Sequence, residues 1–244
     1  MTRIVCCSIA FLVVTSGCAG RRYSPGPVVE RPEQLERLTR AIERGYPDQF
    51  TLVQRVVLVA GGKQYQFQGY LAVRRGQAFR AVAFGEIGGT IFDILATSQG
   101  VSILANSAHV PGKPLILGVA EDIRHLFDPP RSGPCRMTER QPGQFAVVRD
   151  SPGGGMAEWR FDSRQGQIAH SKQTIDGKIV REAEYADYRR FAGSQTPLPA
   201  RIVLRNLRWR YRLEVDLVEL RTAPAPDAAF QPPSPSERVS GARS

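Results

Sequence analysis

Apolar and polar residues alternate one by one over most of this chain. In residues 209–217 (WRYRLEVDL), Trp209, Tyr211, Leu213, Val215 and Leu217 fall on one face and Arg210, Arg212, Glu214 and Asp216 on the other. A period of two is the signature of a β-strand with one face buried and one in water. Residues 63–75 (KQYQFQGYLAVRR) repeat it, with Tyr65, Phe67, Leu71 and Val73 on the apolar face. Further strands are predicted at 50–60, 77–85, 90–97, 101–106, 145–150, 156–162, 167–175, 178–186 and 200–207. Turn residues such as Gly61-Gly62, Gly88-Gly89 and Gln165-Gly166 separate them. Asp176-Gly177 between two alternating runs predicts a two-residue hairpin.

Two stretches follow the helical period instead. Residues 33–46 align Leu35, Leu38 and Ile42 and stop at Gly45, with Pro47 beyond. Residues 114–127 align Leu115, Val119, Ile123 and Leu126 in the middle of the strand meander. About eleven antiparallel strands with two or three covering helices predict a mainly β (α+β) fold, a curved sheet or incomplete β-barrel. Two short helices do not fill a large barrel, so a concave apolar face is expected. Its candidate walls are Tyr65, Phe67, Leu71, Val73, Phe79, Phe92, Ile94, Trp159, Phe161, Trp209, Tyr211 and Leu213. The same alternation describes a solid core, and the pattern leaves both readings open.

The ends differ from the middle. Arg3 precedes an apolar run, Ile4–Val14, too short to span a bilayer, and Ser16 and Gly17 lead into Cys18. Residues 1–17 therefore read as a removable export signal. Small-small-Cys resembles the bacterial lipobox, which implies that Cys18 is lipidated and tethers the protein to membrane lipid. An ordinary signal cut after Ala10 or Gly20, or an uncleaved anchor, are the alternatives. Residues 18–32 read as a flexible tether, 33–222 as one folded domain, and 223–244, with Pro at 224, 226, 232, 233 and 235, as a disordered tail.

The net charge is +10, and 29 of the 33 basic residues are arginine. Arginine pairs with phosphate through a forked geometry. In an exported, tethered protein this points to anionic head groups and not to nucleic acid, or simply to a solvated basic coat. Arg208, Arg210 and Arg212 share one predicted strand face, positioned for lipid phosphate or for pairing with Glu214 and Asp216. Cys6 and Cys7 leave with the signal, so Cys135 stands alone and no intramolecular disulfide is expected. His109, His125 and His170 lack metal-ligand spacing, and no Gly-x-Ser-x-Gly elbow is present. Gly153–Gly155 precede no helix-plus-lysine pattern and read as a hairpin tip. No enzyme, metal site or cofactor is expected. Asp122 and His125, one helical turn apart, are expected to pair on a helix surface.

Three passages carry a family resemblance. They are Phe84-Gly85-Glu86-Ile87-Gly88-Gly89-Thr90-Ile91-Phe92, the helical stretch Pro114–Phe127, and Pro197-Leu198-Pro199 running through Leu217 to Phe230-Gln231-Pro232. In this order, over most of residues 33–231, the chain resembles the LolA/LolB-like lipoprotein-carrier superfamily. The resemblance implies a half-barrel that binds acyl chains or lipoproteins, acting with a periplasmic carrier protein at the periplasmic face of the outer membrane. Ala19 after Cys18, by resemblance to bacterial lipoproteins, agrees with that membrane. It also implies that Ile87, at a loop tip, inserts into the membrane. The family has Pro-Leu-Gly where this chain has Glu86-Ile87-Gly88, and Ile87 folded inward at a tight turn is the alternative. The alternative function is a structural or interaction lipoprotein of an envelope complex, with a filled core, docking through an edge strand or the Pro-rich tail.

Overall fold

A computed structural model describes residue 23 and residues 25–232, except 86–87, 107–111, 130, 132, 142, 152–153 and 163–164. Cys18 and Ile87 lie outside the described residues. Twelve strands form one antiparallel sheet: β1 (Gln49–Ala60), β2 (Lys63–Arg74), β3 (Ala78–Phe84), β4 (Thr90–Thr97), β5 (Gly100–Asn106), β6 (Cys135–Gln141), β7 (Gln144–Ser151), β8 (Gly155–Phe161), β9 (Ile168–Ile175), β10 (Lys178–Arg189), β11 (Leu198–Asn206) and β12 (Tyr211–Arg221). Two helices accompany them, α1 (Pro32–Arg44) and α2 (Lys113–Phe127). Across the sheet the order is β5-β4-β3-β2-β1-β12-β11-β10-β9-β8-β7-β6. Two meanders thus meet where β1 pairs with β12, and α2 carries the chain from one edge strand to the other. The sheet is curved and does not close, in agreement with the expected curved sheet or incomplete barrel.

The strand absent from the sequence reading is β6. Its residues, CRMTERQ, offer only Met137 as a large apolar group, so no alternation shows. Its outer edge is covered by the segment read as tether. Val28 bridges Thr138, the Val29 N–H donates to the Met137 carbonyl (3.0 Å), and the Glu139 N–H donates to the Pro27 carbonyl (3.1 Å). Covering an edge removes a row of open backbone groups that would template association. Residues 27–29 are therefore part of the fold.

The tail also begins later than its prolines suggest. Asp227–Phe230 form a short 3-10 helix against the sheet. Arg74 pairs with the Asp227 carboxylate, donates to the Ala225 carbonyl (3.1 Å), and lies 4.4 Å from the Phe230 ring centroid. Arg80, forked onto Asp93 (2.6 and 2.9 Å), also donates to the Ala229 carbonyl (3.2 Å).

Each helix covers one part of the inner face. Ile116, Val119, Ala120, Ile123, Leu126 and Phe127 of α2 pack on the buried faces of β1–β4 and β10–β12. Leu38 and Ile42 of α1 pack on Met137, Val147, Ala157, Trp159 and Phe161 of β6–β8.

Candidate functional site

Eleven of the twelve candidate wall residues are buried or half-buried in the two cores. Phe67, Leu71, Val73, Phe79, Phe92, Ile94, Tyr211 and Leu213 are buried in the α2 core, and Tyr65 packs at its margin. Trp159 and Phe161 are buried under α1. Trp209 does not lie in the strand. β12 starts at Tyr211, and residues 207–210 form the β11–β12 turn, where Trp209 is 37% exposed. Beneath α2 the space left between Phe67, Phe92, Val119, Ile123, Phe127 and Leu213 is about 20 Å³. That is room for roughly one water-sized group. On this side the helix fills the concave face.

What fastens α2 is a buried polar cluster. Asp122 is fully buried, where its carboxylate meets Arg181 of β10 (2.8 Å), accepts from Asn206 Nδ2 (2.9 Å) and accepts from the Tyr211 hydroxyl. Arg181 also donates to the Glu121 carbonyl (3.2 Å). Desolvation raises the Asp122 carboxyl above its ordinary range, and Arg181, Tyr211 and Asn206 pull it back. His125 is likewise buried and stacks on Trp159, with ring centroids 6.1 Å apart. Burial, helped by Arg181, lowers its pKa to about 3, so it is neutral at physiological pH. The expected surface pair of Asp122 with His125 is thus replaced by two separate buried contacts. The partners of Asp122 lie 59 to 89 residues downstream and that of His125 lies 34, out of reach of any local pattern.

A wider space opens on the other side, between α1 and β8–β11. The groove is about 490 Å³ and is lined by Ile42, Tyr46, Leu126, Trp159, Ile168, Tyr185, Tyr188 and Leu198, with Arg37 and Arg40 along α1. Its shape depends on an irregularity. Tyr185 and Tyr188 are three apart, and a regular strand would send them to opposite faces. Asp187 takes φ 55 between them, and both side chains line the groove. Tyr188 donates to the Ile168 carbonyl (2.7 Å), and Tyr185 shares a hydrogen bond with Ser171 (3.0 Å). Burial pushes the Tyr185 phenol up to about 12 and raises those of Tyr46 and Tyr188, so all three stay neutral. The groove is apolar and aromatic at its floor, and along one rim Arg37 accompanies Arg40, which pairs with Glu36. Of the predicted walls only Trp159 lines it.

Cys135 is half-buried, and its sulfur accepts from Arg149 Nε (2.9 Å). Arg149 also pairs with Glu43 of α1 (2.6 Å). Among the described residues no group of three or more His, Cys, Asp or Glu side chains could hold a metal, and no helix is long and apolar enough to cross a membrane.

An unclosed antiparallel half-barrel, with one helix seated on its concave face and a second beside an open groove, defines the class. The fold is LolA/LolB-like. The structure is similar to that of a LolA superfamily protein from Nitrosomonas europaea, with a TM-score of 0.58 and 12% identity over 83% of this chain and 98% of that one. It is also similar to a DUF1329 family protein from Desulfovibrio piger, with a TM-score of 0.54 and 11% identity over 84% of this chain and 98% of that one. Neither a protein-family model nor a curated protein sequence matches the chain. At these identities the likeness is one of fold.

Proposed function

We propose that this is a non-catalytic envelope lipoprotein, held to membrane lipid through Cys18 at the periplasmic face of the outer membrane. It binds an acyl chain, free or as part of a lipoprotein, in the groove between α1 and β8–β11. The groove carries this reading. Its volume of about 490 Å³ sits within the ~300–1,000 Å³ common for small-ligand sites. Tyr46, Trp159, Tyr185, Tyr188 and Leu198 supply the apolar contact, and each methylene they cover contributes about 0.8 kcal/mol. Arg37 lines the rim and would serve an anionic head group, beside Arg40, which is paired with Glu36. The LolA-like fold supports the same reading, since the named relative belongs to that superfamily. Transfer of cargo to or from a periplasmic carrier follows from the family resemblance.

The test is native mass spectrometry of residues 19–244 purified gently from a bacterial periplasm, followed by titration with a fluorescent fatty acid. Phospholipid or acyl adducts are expected in the wild type. They should be lost in Ala41→Trp, which fills the groove from an exposed position on α1. A bare polypeptide mass with no fatty-acid uptake would favour the interaction-lipoprotein reading.

A further inference from the structure

The turn between β11 and β12, Leu207–Arg210, projects from the sheet. Leu207 is 50% exposed and Trp209 37%. Arg208 and Arg210 flank Trp209 and are both exposed, and the Arg208 guanidinium lies 5.5 Å from the centroid of the indole. Among the described residues neither arginine has a carboxylate within ion-pair distance, whereas Arg212 in the strand pairs with Glu214 (2.8 Å).

The turn is held from below. The Trp209 N–H donates to Asn206 Oδ1 (2.8 Å), and buried Asn206 is itself fixed on Asp122. Arg210 adopts φ 55. That left-handed conformation is unfavourable for a residue with a side chain and persists only where the surroundings impose it. Trp209 lies against Gly118 of α2, where a Cβ would fall 2.8 Å from the indole Cδ1. Two apolar side chains and two unpaired arginines are thus presented in a fixed arrangement to solvent.

We propose that this turn is a docking surface for an anionic lipid bilayer. Indole and guanidinium both favour the boundary between head groups and acyl chains. Unpaired arginines are drawn to the negative surface of such a bilayer. Lys63, just past the β1–β2 turn, and Lys178, at the start of β10, add positive charge at this end, against Asp176. The path of the chain agrees. The Val180 carbonyl accepts from the Leu207 N–H (2.8 Å), and three residues earlier the Gly177 carbonyl accepts from the Tyr23 N–H (3.1 Å). Tyr23, five residues from Cys18 in the sequence, is therefore held close to this turn. Only this last point rests on the lipid-anchor reading; exposure and charge stand apart from it and from the groove.

The test uses unlipidated residues 19–244, which contain every described element. They are mixed with vesicles of phosphatidylglycerol and phosphatidylethanolamine, or of phosphatidylcholine alone. Sedimentation with the anionic vesicles only is expected, together with a blue shift of tryptophan emission. The chain has two tryptophans, and Trp209→Phe should abolish the shift while leaving the buried Trp159 signal. Arg208→Glu with Arg210→Glu should weaken partitioning roughly 25-fold, at about fivefold per arginine. No sedimentation, equal sedimentation of the double variant, or sedimentation with unchanged Trp209 emission would each overturn the proposal. Failure here with intact acyl uptake would leave the groove reading standing.

Discussion

Arg181 Nη1 of β10 lies 2.8 Å from Asp122 Oδ1 of α2, and Asp122 has no exposed surface. The contact ties the helix on the concave face to the far half of the sheet. Removing one member of a buried pair costs about 3–5 kcal/mol, because the remaining charge is left without a partner. Arg181 keeps the Glu121 carboxylate at 3.7 Å, so Asp122→Ala should lower the unfolding free energy by about 3 kcal/mol, the low end of that range. Asp122→Asn, which keeps hydrogen-bonding capacity toward Tyr211 and Arg181, should lose less. Urea unfolding followed by circular dichroism checks the order wild type, Asn, Ala.

Acid stability should carry the mark of His125. Its folded pKa of about 3 lies below the 6.5 of the unfolded chain. Between those values the unfolded chain binds a proton that the folded one does not. Stability from this group is therefore complete above about pH 6.5 and falls as pH drops toward 3, by about 1.4 kcal/mol per pH unit. Asp122, raised by desolvation, acts in the opposite sense, and His170, also lowered, in the same sense. Comparison with His125→Phe, which keeps a flat ring on Trp159, isolates the His125 contribution. The difference in unfolding free energy between the two proteins should shift steadily in favour of Phe from pH 6.5 to pH 5. Parallel curves would show that His125 does not titrate in this way.

The C-terminal segment should divide sharply in its effect on stability. The contacts of residues 223–232 are isolated by comparing deletion of 223–244 with deletion of 233–244. Deleting 223–244 strips Arg74 of Asp227, Ala225 and Phe230, and Arg80 of Ala229. One exposed ion pair and one cation–π contact are together worth about 1–2 kcal/mol. Thermal melts should show a lower midpoint for the longer truncation than for the shorter.

Where the sequence spoke plainly, the reason was periodicity. Tyr211–Leu217 alternates without a break and lies in β12, and Tyr65, Phe67, Leu71 and Val73 share one face of β2 with Gly69 between them. Leu115, Val119, Ile123 and Leu126 mark α2. The failures have physical causes. Trp209 continues the alternation of β12, yet Arg210 turns left-handed and the strand begins only at Tyr211. In β6, Thr138 is fully buried beside Met137 without being apolar. The groove tyrosines come together only through the irregularity at Asp187, which no hydrophobic pattern encodes. The Asp122 cluster joins residues from one helix and three strands, and only the folded topology brings them into register.

The pairing of residues 27–29 with β6, and of Tyr23 with Gly177, shortens the leash. Between Cys18 and Tyr23 lie five peptide steps, which span at most about 18 Å. A domain anchored by Cys18 on so short a lead is a stationary post. On the proposed anchor and cargo-binding reading, any cargo would have to be brought to it.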